Sequence, residues 1–184
     1  MEIKIGSQDV LKTINIIAWI IFIGLCIESG GIIFNAFYTV FINPIGAKNF
    51  WMKADLSDVY ALDKGYFIVV IVLMSIVSLL KALMFYLIIK LFHNPDFHFT
   101  QPFNRILDKF ISYLAYLSFG IGLFSIWGIR YCDWLTLKEI SVPSSQSLRM
   151  AGGDVWLFMC AILFVIAFIV KRGVEIQTEN ELTV

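Results

Sequence analysis

Four long apolar runs separated by polar connections dominate the chain. Residues 14–42 read INIIAWIIFIGLCIESGGIIFNAFYTVFI, and further runs cover 66–91, 110–129 and 153–170. Hydrocarbon about 30 Å thick takes roughly 20 apolar residues of helix, and lipid offers no partner to an unpaired backbone group, so each run predicts a transmembrane helix. The runs are continuous rather than alternating with period two, which argues against an outer-membrane barrel. Together they predict an all-α polytopic membrane protein, a single domain over 1–184 built as a four-transmembrane-helix bundle with short extracytoplasmic loops.

Composition sharpens this picture. The chain is 59% hydrophobic and only 15% charged, with a mean hydropathy of +0.82, far from a soluble domain and with no room for a separate one. Lys4 and Lys12 precede the first run, but no small-x-small cleavage pattern follows, so that span is expected to be retained. Cys26, Cys132 and Cys160 are odd in number and lack paired spacing, which indicates neither a disulfide framework nor a metal site.

Charge near the span ends predicts orientation. Lys12, Lys90, Lys109 and the Lys171-Arg172 pair abut the spans on one side, against Lys64 and Arg130 on the other. The positive-inside rule then places both termini in the cytoplasm. The outer connections, about 43–65 and 130–152, contain the turn formers Asn43-Pro44, Pro143-Ser144-Ser145 and Gly152-Gly153 and are long enough to form a small cap. Trp51, Trp127, Trp134 and Trp156 fall near the same ends, where amphipathic rings favour the headgroup layer.

Two charges lie inside the spans. Glu28 interrupts the first and Lys81 the second, and each costs several kcal/mol in hydrocarbon unless compensated. With hydrocarbon starting near Ile14 and Ile89, Glu28 lies about 21 Å and Lys81 about 12 Å above the inner boundary. Side chains lean toward their own helix N-terminus, which on antiparallel helices tilts the two toward each other across that gap of roughly 9 Å. Gly24, Glu28, Gly31, Asn35 and Thr39 share one face of the first helix, and Ser75, Ser78, Lys81 with Ala82, and Tyr86 share one on the second. Ala115, Ser118, Gly122 and Ser125 make a similar stripe on the third, and such small residues favour close helix approach. The expected intramembrane polar site is therefore Glu28, Lys81, Asn35 and Ser78. Its readings are a responsive site, a pair that only fixes helix register, or no pair at all, with Lys81 snorkelling and Glu28 turned toward the outer cap near Arg130.

The middle connection holds both histidines. His93, Asp96 and His98 straddle Pro95 without a further ligand, so no metal and no cofactor is expected. Thr100 before Gln101-Pro102 reads as a helix start, with Phe103, Ile106, Leu107, Phe110 and Ile111 at helical spacing leading into the third span. After Lys171-Arg172 the ending is polar and acidic, and composition alone reads it as a solvated, frayed end.

Glu28-Ser29-Gly30, Asn43-Pro44, the Gln101-Pro102-Phe103-Asn104-Arg105-Ile106 stretch and the Gly173-Val174-Glu175-Ile176-Gln177 to Glu179-Asn180-Glu181-Leu182-Thr183-Val184 ending resemble the YoaS-like group of small four-span bacterial membrane proteins. The resemblance covers nearly the whole chain and brings no activity with it. Members of that group are similar in being encoded beside a small helix-turn-helix regulator. That implies a cytoplasmic partner surface on Phe103, Asn104, Arg105, Gln177, Glu179, Asn180 and Leu182, and shifts the reading of the ending away from a frayed end.

The resulting expectation is a membrane-embedded signalling or sequestering partner of a cytoplasmic helix-turn-helix regulator. The alternatives are a small ion- or proton-coupled transporter or channel subunit, and an immunity protein against a membrane-active peptide. Homo-oligomers are compatible with each. No phosphate-cradling loop, metal cluster or nucleophile with a base points to an enzyme, and zero net charge gives no reason for direct nucleic-acid binding.

Overall fold

The computed structural model describes residues 7–95, 97 and 104–181. Helix α1 (Ser7–Phe37) ends in a wider π-helical turn, Tyr38–Ile42. Asn43 then breaks the helix in extended conformation, and its side chain accepts from the Ile45 amide at 3.0 Å to open the 3-10 turn Pro44–Ala47. A second 3-10 turn, Trp51–Lys53, and the short α2 (Ser57–Leu62) complete the first connection. Helix α3 (Lys64–Phe92) is capped by Asp63, α4 (Arg105–Thr136) by Asn104, which accepts from the Leu107 amide at 2.7 Å, and α5 spans Gly153–Glu181. Helices α1, α3, α4 and α5 are each long and apolar enough to cross a bilayer, and the chain is an all-α, multi-pass membrane protein.

Two helices outrun their apolar windows. The span expected at 110–129 is the middle of α4, which continues because the residues beyond it are amphipathic: Cys132 and Leu135 are buried while Arg130, Asp133 and Thr136 are exposed. The span expected at 153–170 likewise belongs to a helix that carries on past Lys171 and Arg172 to Glu181, so the reading of a frayed end is corrected. Arg172 and Glu175, 2.9 Å apart one turn along, support that extension. At the other end, α4 starts after Asn104 rather than at Thr100, and residues 98–103 lie outside the described part.

The long helices pack in series, α1 on α3, α3 on α4 and α4 on α5, which leaves α1 and α5 on the flanks. Both flanks expose apolar side chains at helical spacing, Ile16, Ile20, Ile23 and Ile27 on α1 and Phe158, Ile162, Val165 and Ile169 on α5. Surfaces of that kind suit a lipid surrounding, as the four apolar helices require. Ring contacts fix the α1–α3 register: Phe22 meets Tyr86 with centroids 6.2 Å apart, and Trp19 meets His93 edge-on at 6.3 Å. From the Phe22–Tyr86 contact, Glu28 is about a turn and a half along α1 and Lys81 about a turn and a half back along α3. The two charges are therefore level. The 9 Å offset expected from the sequence came from starting hydrocarbon at Ile14 and Ile89, which are not level with each other.

Helix α5 begins low. Gly153 abuts Gly122, each standing where the other's Cβ would come within about 3 Å of its carbonyl oxygen, so the two backbones touch only because both residues lack side chains. Beyond Gly122, α4 runs on for about 21 Å to Thr136. Loop 137–152 folds back down that height, with Leu148 and Met150 fully buried and Met150 filling the space that a side chain at Gly128 would need. Together with Phe50, Leu56 and Val59 from the first connection, and Ile32, Phe67, Val70 and Leu135 from the long helices, these residues form the largest apolar core of the molecule. The two connections thus make a cap, as expected, but one that is packed into the helix ends rather than laid over them.

The tryptophans divide accordingly. Trp127 and Trp134 are exposed near the cap end, and Lys138 stands 3.8 Å from the Trp134 ring. Trp51 instead lies flat in the notch at Gly31, and Trp156 packs into the bundle beside Val77 and Ile121. Two of the four are thus exposed, as interfacial anchoring requires; the other two are packing residues.

Candidate functional site

Glu28 reaches the inner face of α1 because it follows the same stripe as Gly31, Asn35 and Thr39, all of them buried or half-buried. Gly24, assigned to that stripe from spacing, is exposed and has no neighbour within 4 Å. On α3, Lys81 follows Ser78 onto the face that meets α1 and α4. The two charges share a level, yet the cation that holds the Glu28 carboxylate is neither Lys81 nor Arg130. It is Arg149 of the returning loop, whose Nε lies 3.6 Å from Glu28 Oε2. Lys81 donates from Nζ to the backbone carbonyl of the same Arg149 at 3.0 Å.

Arg149 is thus gripped at both ends, by a carboxylate at its side chain and an ammonium at its backbone. The expectation of a direct Glu28–Lys81 pair is corrected on geometry: an arginine stands between the partners, and the two helices are joined through it. Glu28 and Lys81 remain near enough for their charges to interact. The physical reason for the arrangement is the low start of α5. Because the loop must descend to reach Gly153, it delivers residue 149 to membrane depth, where a planar guanidinium serves a carboxylate better than a hydrated ammonium does.

Backbone strain accompanies the junction. Arg149 has φ +58°, and Met52 and Lys53 have φ +54° and +64°, a conformation that residues with side chains seldom adopt. Met52 and Arg149 also touch, guanidinium nitrogen to sulfur. Two strained loop positions, one from each connection, therefore meet over Glu28. The Glu28 side chain is only 16% exposed, whereas that of Arg149 is 40% exposed, so the carboxylate is the more enclosed of the two partners. An arginine so placed can hold a carboxylate and also let go of it, which a fully enclosed pair cannot do.

Asn35 and Ser78 do not join this site. Asn35 Nδ2 donates to the Gly31 carbonyl at 2.8 Å, and Ser78 Oγ donates to the Ser75 carbonyl at 3.0 Å, so each is satisfied within its own helix. The sequence reading missed Arg149 because it is one of several cations in a polar loop. The sequence carried little signal for it, because the apolar runs at 110–129 and 153–170 are nearly equal in length and do not show that α4 continues to Thr136.

At the opposite, basic end, Arg105 of α4 and Glu179 of α5 line one groove with Asp108, Lys171 and Glu175, a space of about 410 Å³. Asn104 is occupied as the α4 cap, and Gln177 and Asn180 lie on the same extension of α5. Phe103 and Leu182 fall outside the described residues, as do Asp96 and His98. His93 Nδ1 lies 2.9 Å from the Ile89 carbonyl, closing the end of α3. The three cysteines are free thiols, Cys132 and Cys160 buried and Cys26 exposed. No protein-family model, curated protein or solved structure matches the chain, so the assignment rests on this geometry.

Proposed function

We propose that the protein is a signalling or sequestering module of a bacterial inner membrane, in which the outer cap communicates with the membrane helices through Arg149 and a cytoplasmic helix-turn-helix regulator docks at the basic end. The observation that carries this reading is the double grip on Arg149, which couples one exposed loop to two membrane helices at a single residue. A cap ligand or membrane-active agent that pulls Arg149 from Glu28 leaves a buried carboxylate uncompensated. The cost of that, about 1–2 kcal/mol at a junction whose arginine is partly solvated, is available to shift α1 against α3. Basic residues at the other end favour the cytoplasmic side for both termini. There the α4–α5 groove, with Arg105 and Glu179, offers charges of both signs to a soluble partner. The resemblance to the YoaS-like group supports a regulator as that partner.

Co-purification tests it. Full-length protein is expected to retain the neighbouring regulator from membranes, and Arg149→Gln to change the retained fraction severalfold. No retention by the intact chain, or retention indifferent to Arg149, overturns the reading. A proton or ion pathway is the competing reading, favoured by three ionisable groups meeting at membrane depth. Flux into liposomes that is abolished by Glu28→Gln supports that alternative, and background flux removes it.

A further inference from the structure

The basic end carries a second groove, between the end of α3 and the start of α4, that the signalling reading does not use. Its walls are Leu87 and Leu91 from α3 and Phe110 and Tyr113 from α4, and its rim holds Lys90 and Lys109, one from each helix, around a space of about 250 Å³. Both lysines are exposed, and among the described residues neither forms an ion pair. On α5, by contrast, Arg172 is neutralised by Glu175. Lys109 also borders the mixed-charge groove against α5, so it stands on the ridge between a polar surface and an apolar one.

Depth decides what such a groove takes. Ile89 and Ile111, next to the rim, are buried in the bundle, and the apolar runs 66–91 and 110–129 have their ends here. The lysines therefore sit where hydrocarbon gives way to headgroups, and the apolar walls run from them toward the membrane interior. A soluble anion would satisfy the rim and leave the walls bare; a zwitterionic lipid would cover the walls and bring its own cation to the rim. An anionic phospholipid satisfies both.

We propose that the α3–α4 groove is a binding site for one anionic phospholipid, its phosphate between Lys90 and Lys109 and an acyl chain along Leu87, Leu91, Phe110 and Tyr113. Bound there, the lipid bridges two helices whose connection lies at the basic end and fixes their relative position. The proposal is independent of the signalling reading, since it requires neither Arg149 nor a soluble partner.

The test is native mass spectrometry of the full chain released from detergent containing phosphatidylglycerol or phosphatidylcholine. One retained phosphatidylglycerol is expected, weakened roughly thirtyfold in K90Q/K109Q, as two lysines near an anionic surface imply. K90R/K109R is expected to restore it, and K48Q/K53Q at the cap end to leave it unchanged. Far-ultraviolet circular dichroism confirms that each variant keeps its helices, and the arginine rescue separates lost charge from lost fold. Equal retention of phosphatidylcholine, equal loss in the cap-end variant, or displacement by millimolar inorganic phosphate overturns the proposal.

Discussion

The two ends of the molecule are built on different principles. At the cap end, two connections and three helices enclose a continuous apolar core in which Leu56, Val59, Phe67, Leu148 and Met150 are wholly inaccessible. At the basic end the comparable cluster is Ile111, Ala167 and Val170, each still slightly exposed, and open grooves flank α4 on both sides. The contrast shows where the chain invests in shape and where it leaves surface for others. A dense cap holds Arg149 in one strained position, whereas a loosely joined basic end accommodates ligands.

Core deletions should expose the contrast most sharply. Leu148→Ala is expected to lower stability by about 4 kcal/mol, because the surrounding cap cannot collapse into the space, and Ile111→Ala by about 2 kcal/mol; unfolding titrations in mixed micelles compare them. Equal losses would remove the distinction. Next, Gly31→Ala drives a methyl group into the Trp51 ring and should lower stability by about 1–3 kcal/mol, while Gly24→Ala, with open space around it, should be neutral or slightly stabilising. Thermal midpoints of the two proteins decide this.

The junction itself comes third. Glu28→Gln and Arg149→Gln are each expected to destabilise by about 1–2 kcal/mol, since the arginine is partly solvated, and the double variant should lose little more than the larger single one. Additive losses would mean that the two side chains are not coupled. The smallest effect is at Asp55, fully exposed in the first connection. Hydrogen bonds from the Ser57 hydroxyl and amide, with Lys48 adding to them, hold its carboxyl below the usual aspartate range. Its contribution is therefore present above about pH 3.9, the unfolded value, and lost as pH falls through the lower folded one. An NMR titration midpoint for Asp55 at or above that of a free aspartate would contradict this.

Much of this fold was legible because lipid imposes a severe code. Runs such as 66–91 admit no reading but a membrane helix, and Glu28 and Lys81 stood out by breaking them. What the chain hid were features settled by relative helix length and packing. The continuation of α4 to Thr136 depends on one face, Cys132 and Leu135, finding partners in the cap, and nothing local announces those partners. The continuation of α5 past Arg172 places polar residues on a helix that composition reads as a frayed end. Arg149 was illegible for a related reason: its importance comes from a loop that doubles back, and that return is set by Gly153 meeting Gly122 on another helix. Glu28 and Lys81 converge as their charges demanded, but on a third residue.

The glycine contact that starts α5 so far below the tip of α4 also makes the cap sensitive to length. Adding a single helical turn before Gly153 would carry residue 149 upward by about 5 Å, beyond the reach of both Glu28 and Lys81. The last membrane helix therefore acts as a gauge: where it begins determines how deep the arginine sits, and with it whether the first helix is moored or adrift.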